Sequence, residues 1–216
     1  MNIILFGPPG AGKGTQADNI VKFFNLHKVS TGDLLRSKAK SDHDLDKKIK
    51  SLIDKGLFVS DEILNDLIQK VLANNKLSNR LIFDGYPRNL NQAKNLNLLL
   101  KKHNQKISCV LSLNVNRDTI IKRILGRQIC TKCKLIFNEY FNPSTSKNHT
   151  CDPKFLNKRS DDNEKTIISR FENYSDKTLP ILDFYKDLNL LHEINGIGKI
   201  DEIFAQIRAI IASLET

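Results

Sequence analysis

The sequence predicts an α/β fold in which a parallel β-sheet carries helices on both faces. The first observation is an apolar run at residues 3–6 that ends in a glycine cluster and precedes a helical pattern at residues 16–24. The second is that this order of strand, turn and helix returns three more times. Short apolar strands that alternate with helices are typical of a parallel sheet covered on both sides.

Each of the three later units begins with a short apolar run and continues as a helical pattern. The predicted strands are residues 81–83, 109–113 and 190–194, and the predicted helices are residues 90–100, 118–127 and 200–214. A polar stretch with helical character, residues 31–73, separates the first two units. No internal repeat of fixed period is present, so the chain is not a solenoid.

One segment breaks the pattern. Residues 128–159 contain three of the four Cys and two Pro without a helical period. A stretch of this length inside a compact domain is usually functional or a small subdomain, and we interpret it as an inserted lid. The expected organisation is a core of residues 1–29, 60–126 and 164–216, an inserted subdomain of residues 30–59 and a lid of residues 127–163.

Composition limits the classes of protein to consider. The 216 residues are 40% hydrophobic and 27% charged, which excludes collagen and wholesale disorder. The net charge of +10 suits a phosphate-bearing partner, although a general bias towards Lys explains it equally well. The sequence has no apolar run of ~18 residues, no apparent signal peptide and no disulfide framework. We therefore expect a cytoplasmic protein without a membrane partner.

Residues 7–13, GPPGAGK, satisfy the phosphate-loop pattern G-x-x-x-x-G-K between a predicted strand and a predicted helix. Glycines expose successive backbone N–H groups to phosphate, the helix N-terminus adds positive potential, and Lys13 adds a charge. Gly14 stands where Ser or Thr usually ligates magnesium, and Thr15 follows it. Magnesium should then be held mainly by phosphate oxygens and water, with Asp84 as its protein anchor.

Three motifs together are specific. Residues 7–15 read GPPGAGKGT, residues 84–88 read DGYPR and residues 159–164 read RSDDNE. In these motifs the chain resembles the adenylate kinases, in their bacterial form with a long lid. The resemblance implies a monomer that reversibly transfers the terminal phosphoryl group of MgATP to AMP, giving two ADP. It also implies mobile inserts, residues 30–59 over AMP and the lid over ATP.

The resemblance implies a set of site residues. The positions expected to bind ATP are Gly10, Ala11, Gly12, Lys13, Gly14, Thr15, Arg123, Arg127, Ile136, Phe137 and Gly198. The positions expected to bind AMP are Thr31, Arg36, Leu57, Phe58, Val59, Gly85, Tyr86, Pro87, Arg88, Gln92, Arg159 and Arg170. The expected catalytic residues are Lys13, Asp84, Arg88, Arg123, Arg127, Arg159 and Arg170. Asp161 and Asp162 are expected to orient arginines.

The chemistry of these residue types agrees with the implied roles. Arg36 and Arg88 can each make a two-point contact with phosphate, which Lys cannot. The amide of Gln92 can pair with the N6 and ring-nitrogen edge of adenine. Six of the nine Arg lie at matching positions in a chain that otherwise prefers Lys, which compositional bias does not explain. No general base is needed, because the attacking phosphate oxygen is already anionic.

The lid cysteines leave two interpretations open. Cys130 and Cys133 form a C-x2-C pair, and Cys151 adds a third thiol, but the second pair expected in metal-binding lids is broken. Either His149 or Asp152 can complete a structural zinc site. The alternative is a lid held by packing and polar contacts alone. Cys109 lies in an apolar strand and is expected to be buried and inert.

Two other functions compete with this interpretation. A kinase for another monophosphate, such as a UMP/CMP enzyme or a GTP-using relative, shares the motifs, but the long Cys-bearing insert argues against the pyrimidine enzyme. A nucleic-acid-binding protein with a zinc knuckle would also be basic. Interleaved exposed aromatics would support it, but Trp is absent and aromatic residues are only 7%, so we expect no nucleic-acid partner.

Overall fold

The predicted parallel sheet is present and has five strands. A computed structural model describes residues 1–38, 44–55, 57 and 59–214. The strands are β1 Asn2–Phe6, β2 His27–Ser30, β3 Leu81–Asp84, β4 Cys109–Asn114 and β8 Leu191–Asn195. They follow the spatial order β2-β3-β1-β4-β8, and every neighbouring pair is parallel. This confirms the predicted fold class.

Nine helices are present in the described part of the chain. They are α1 Lys13–Phe24, α2 Thr31–Lys38, α3 Asp44–Asp54, α4 Asp61–Leu72, α5 Leu90–Lys102, α6 Arg117–Leu125, α7 Glu164–Asn173, α8 Pro180–Asp187 and α9 Ile200–Ser213. A π-helical turn, Tyr174–Thr178, joins α7 to α8. None of the described helices is long and apolar enough to cross a membrane.

The two faces of the sheet bury two different cores because successive strand side chains point in opposite directions. Ile3 and Leu5 of β1 belong to the core formed with α1 and α9. Ile4 and Phe6 belong to the core formed with α4, α5 and α8. All four side chains are at most 3% exposed, so the strand is apolar throughout, as expected for a sheet covered on both sides.

The four predicted strand and helix pairs are all present, with ends that move by a few residues. The strand β2 was not predicted. It lies at the edge of the sheet, where Val29 is the only one of its four residues that is buried. Its sequence HKVS therefore contains no apolar run by which a strand could be predicted. Helices α7 and α8 were also not predicted; they follow the lid and are joined to each other by the π-helical turn without an intervening strand.

The lid segment contains a small antiparallel sheet in the order β6-β5-β7. Its strands are β5 Arg127–Cys130, β6 Ile136–Asn138 and β7 Leu156–Asn157. Strands of four, three and two residues are too short to show an alternating pattern, which explains why none was predicted.

Candidate active site

A cavity of about 840 Å³ opens at the carboxyl ends of the parallel strands, between the core and the lid. Ligands of open α/β sheets bind at this edge, where glycine turns lead into helices. Most of the predicted nucleotide-binding residues line this cavity: Gly10, Ala11, Gly12, Lys13, Gly14, Thr15, Thr31, Arg36, Leu57, Val59, Gly85, Pro87, Arg88, Arg123, Arg127, Ile136, Phe137, Arg159, Arg170 and Gly198. Asp84 lines it too. Phe58 lies outside the described residues.

The phosphate loop holds Lys13 in a half-buried position. The Lys13 ammonium donates hydrogen bonds to the carbonyl oxygens of Gly7 at 2.7 Å and Pro8 at 2.9 Å. Burial lowers the pKa of Lys13 to about 8, Asp84 opposes this shift, and the charges of three arginines add to it. The loop needs glycine at position 10, where φ is +81° and a Cβ would lie 2.7 Å from Ile124 Cγ1.

Asp84 ends β3 beside the first turn of α1. A Cβ built on Gly14 would lie 3.8 Å from Asp84 Oδ2 and 3.9 Å from Lys28 Nζ. The carboxylate therefore stands next to the place where the side chain of a phosphate-loop Ser or Thr would project. Lys28 also lines the cavity. Lys28 was not predicted as a site residue, because β2, which carries it, was not predicted.

Two side chains converge on the backbone carbonyl of Gly85. Thr31 Oγ1 donates to the Gly85 carbonyl at 2.9 Å, and Arg88 Nε donates to the same oxygen at 2.7 Å. Gly85 has φ of +75°, and a Cβ there would lie 3.2 Å from Arg88 Nη2, so glycine leaves room for the guanidinium. Burial lowers the pKa of Arg88 to about 10, and repulsion by Arg170 contributes.

Gln92 and Tyr86 lie behind the cavity wall, and each is 1% exposed. The Gln92 carbonyl oxygen accepts a 2.7 Å hydrogen bond from the Arg88 backbone N–H. Its amide nitrogen donates to Asp61 Oδ1 at 2.6 Å. Two protein groups therefore fix which way the amide points. Contact of either residue with a base stays a prediction.

The junction between the lid and the core contributes three arginines to the cavity, Arg127, Arg159 and Arg170. Arg127 binds Asp162 through two hydrogen bonds, and Arg170 binds Asp161. Burial favours the protonated form of Asp161, but the charge and hydrogen bond of Arg170 outweigh it and hold its pKa below the usual range. Burial, together with Arg127 and Arg36, lowers the pKa of Arg159 to about 10. The two carboxylates hold arginines, as expected.

The outer part of the cavity is apolar and aromatic. Arg123 donates to the Ala11 carbonyl at 3.1 Å, and its guanidinium carbon lies 5.4 Å from the centre of the Phe141 ring. Tyr140 and Phe141 line the cavity although they are 65% and 48% exposed. Neither residue was predicted to line the site; two adjacent aromatic residues in a polar loop were the available signal.

The lid brings Cys130, Cys133, His149 and Cys151 together, with their ligand atoms within 4.8 Å of one another. His149 Nδ1 is 2.8 Å from Ser144 Oγ, while its buried Nε2 has no hydrogen-bond partner among the described residues. Of the two candidate fourth ligands, the structure thus places His149 in the cluster. Asp152 is outside it and instead caps Lys154 N at 2.9 Å.

The thiols of this cluster differ in acidity. Burial disfavours the thiolate of Cys130, but the Cys133 backbone N–H and the His149 ring outweigh this and lower its pKa to about 6. Burial and the neighbouring thiols raise the pKa of Cys151. Cys109 is outside the cluster, and burial raises its pKa to about 12, as expected for an inert core thiol.

Comparison with known proteins confirms the resemblance. The sequence model of the family described as adenylate kinase matches residues 5–190. A protein named adenylate kinase from Pelagibacter ubique is 52% identical over 211 residues, which cover 98% of this chain and 99% of the relative. Proteins of the same name from Bacillus cytotoxicus and Bacillus cereus are 41% and 40% identical over 99% of this chain and 100% of their own lengths. The chain therefore belongs to the adenylate kinase family.

Proposed function

We propose that this chain reversibly transfers the terminal phosphoryl group of MgATP to AMP, giving two ADP. The observation that carries the proposal is the charge of the cavity, where Lys13 and six arginines meet between the phosphate loop, the DGYPR turn and the lid junction. Membership of the adenylate kinase family over nearly the whole chain supports it. A nucleic-acid-binding function has no comparable support, since these cations line an enclosed cleft.

The reaction needs position and charge rather than proton transfer. An AMP phosphate oxygen attacks the γ-phosphorus of ATP, the bond from that phosphorus to the bridging oxygen breaks, and the leaving group is ADP. Because the attacking oxygen is already anionic, no side chain has to remove a proton. Lys13 and the arginines, which the protein holds in place before the substrates arrive, would stabilise the charge on the transferring group.

We assign the acceptor end to the Thr31, Gly85 and Arg88 arrangement. Arg88 lines the cavity with its Nε held by the Gly85 carbonyl, which would present the guanidinium to the acceptor phosphate. Arg36 lies 2.6 Å from exposed Asp33, so phosphate would have to draw it from a screened surface pair. Leu57 and Val59 supply apolar surface beside these cations.

We assign the donor end to the phosphate loop, Gly198 and the lid. Arg123 comes from α6, Arg127 begins the lid strand β5, and Ile136 and Phe137 come from β6. Residues 30–59 and 127–163 are proposed to close over AMP and ATP respectively, which would exclude water from the transferring phosphoryl group. Magnesium would enter with ATP and keep most of its water, with Asp84 anchoring that shell.

We propose structural zinc for the lid cluster. Three thiols and one imidazole are a donor set that zinc prefers, and the unpartnered Nε2 of His149 is free to ligate. Ser144 would fix the tautomer of the ring through Nδ1. Zinc bound there would join β5 to the loop before β7, and it would take no part in phosphoryl transfer.

The experiment that tests the proposed function is an acceptor panel. ADP formation from MgATP is measured with AMP, CMP, UMP and GMP in turn, and then with GTP in place of ATP. We expect AMP to be the preferred acceptor. Equal efficiency with CMP or GMP would make the acceptor assignment wrong.

ATP binding should depend on pH through Lys13. The phosphates favour the charged ammonium, whose pKa in the nucleotide-free protein is about 8. Binding should therefore take up little proton at about pH 7 and close to one at about pH 9, and ATP affinity should fall as pH rises between them. Calorimetry in buffers of different ionisation enthalpy measures this uptake. In Lys13→Arg, proton uptake should no longer rise with pH. Uptake that does not change with pH in the unmodified protein would show that Lys13 does not gain a proton when ATP binds.

Gln92→Ala should weaken acceptor discrimination. Loss of the amide, which is predicted to pair with the adenine edge and which also holds the Arg88 backbone N–H, should cost on the order of 1–3 kcal/mol, seen as a higher KM for AMP with little change in the KM for ATP. The matched control is Asn91→Ala, which alters an exposed amide on the same helical turn. An unchanged KM for AMP in Gln92→Ala would remove Gln92 from the base-binding site.

A further inference from the structure

We propose that Lys28 is a positioning residue of the phosphate site, where its ammonium competes with magnesium for Asp84 and so limits how much magnesium strengthens ATP binding. This inference rests on the proposed function, because it requires the phosphates of ATP to lie at the phosphate loop. Lys28 belongs to none of the motifs that identify the family in this sequence.

The contacts of Lys28 place its charge between two carboxylates. The ammonium lies 2.9 Å from Asp18 Oδ1 and 3.9 Å from Asp84 Oδ2, and it is 3.5 Å from the Gly14 carbonyl. All of these groups belong to the rigid core, on α1, on β3 and on β2 itself. Small shifts of the flexible Lys stem are enough to move the charge from one carboxylate towards the other.

Solvent makes these two ion pairs unequal. The Asp18 side chain is 59% exposed, so its pair with Lys28 is screened despite the shorter distance. The Asp84 side chain is 13% exposed and that of Lys28 is 20% exposed, so their longer pair is shielded from water. The interaction that matters for the site is therefore the one between Lys28 and Asp84.

The space beside Gly14 is where this pair meets ATP. In a phosphate loop with Ser or Thr at this position, the side chain would ligate magnesium, but here Asp84 and Lys28 bound that space instead. A positive charge at this place attracts the phosphates and repels Mg²⁺. Lys28 should therefore favour metal-free ATP and oppose the entry of Mg²⁺ into the ATP complex, and Asp18 can hold the ammonium once Mg²⁺ has taken Asp84.

The test measures the coupling between the two ligands by calorimetry. The Kd of ATP with a chelator is divided by the Kd of ATP in excess Mg²⁺, without AMP. This ratio should rise about fivefold or more in Lys28→Gln, because a charge that repels Mg²⁺ is gone. Lys28→Arg keeps the charge, and Lys22→Gln removes an exposed charge elsewhere on the core. In both variants the ratio of the two Kd values should stay within about twofold of that of the unmodified protein.

A ratio in folded Lys28→Gln within about twofold of the unmodified protein would overturn the inference. If that variant does not fold, the inference is tested by NMR on the unmodified protein. MnATP should then broaden the NMR signals of the Lys28 side chain and spare those of Lys22, and sharp Lys28 signals would overturn the inference. ADP formation by the same preparations separates the two proposals: its absence in the unmodified protein refutes the proposed function, whereas normal ADP formation with an unchanged ratio refutes only the role of Lys28.

Discussion

Arg88→Lys is expected to lower kcat/KM for AMP strongly, although the positive charge is kept. A Lys ammonium cannot reproduce the planar two-point contact with phosphate, nor can it hold the Gly85 carbonyl at the same time, as Arg88 Nε does at 2.7 Å. The loss of hydrogen bonds to a charged group should cost about 2–3 kcal/mol, a roughly 30- to 140-fold fall in kcat/KM for AMP. Steady-state kinetics with each substrate varied in turn measures it.

The effect of Arg88→Lys should be confined to the acceptor. The KM for ATP should change less than about twofold, since Arg88 is anchored at the Gly85 carbonyl and Lys keeps the positive charge that acts on Lys13. Arg80→Lys is the matched control, because the Arg80 side chain also donates to a backbone carbonyl, that of Asn25, but lies outside the cavity. Unchanged KM for AMP together with unchanged kcat would show that Arg88 does not clamp the acceptor phosphate.

Removal of zinc from the lid is expected to lower stability more than catalysis. The cluster ties together a lid whose sheet has strands of only four, three and two residues, so a bound ion would supply much of its cohesion. Chelation should lower the melting temperature by about 5 °C or more. Activity at low temperature should survive better, although Phe137, which lines the cavity, packs on His149 with ring centres 4.7 Å apart.

The ligands can be tested separately. Protein purified without chelator or nickel resin should contain nearly one zinc per chain, His149→Ala should lose it, and Asp152→Ala should keep it. Asp152 is the natural control, since it is the neighbour of Cys151 but stands outside the cluster. Metal-free protein with an ordered lid would refute the site and would indicate a lid that has lost its ion.

The phosphate loop and the four strand and helix pairs could be predicted because their information is local. Glycine spacing sets the loop backbone, and the apolar runs of strands buried on both faces stand out from their surroundings. The edge strand β2 could not be predicted in this way, because it pairs on one side alone and its only buried residue is Val29. Lys28 was missed together with that strand.

The composition of the metal cluster depends on folding rather than on spacing. Asp152 is next to Cys151 in the chain and His149 is two residues away, but only His149 joins the cluster, while Asp152 caps a short helical turn. The burial of Gln92 was equally hidden, since its partner Asp61 is 31 residues away. The domain limits at residues 30–59 and 127–163 and the roles of the site residues stay predictions.

The most direct test of the central claim uses ADP as the sole substrate. Incubated with Mg²⁺ and followed by ³¹P NMR, the protein should convert ADP into equal amounts of ATP and AMP and release no inorganic phosphate, because the reverse reaction moves a phosphoryl group from one ADP to the other. ADP that stays unchanged, or that yields inorganic phosphate instead of ATP, would contradict the account.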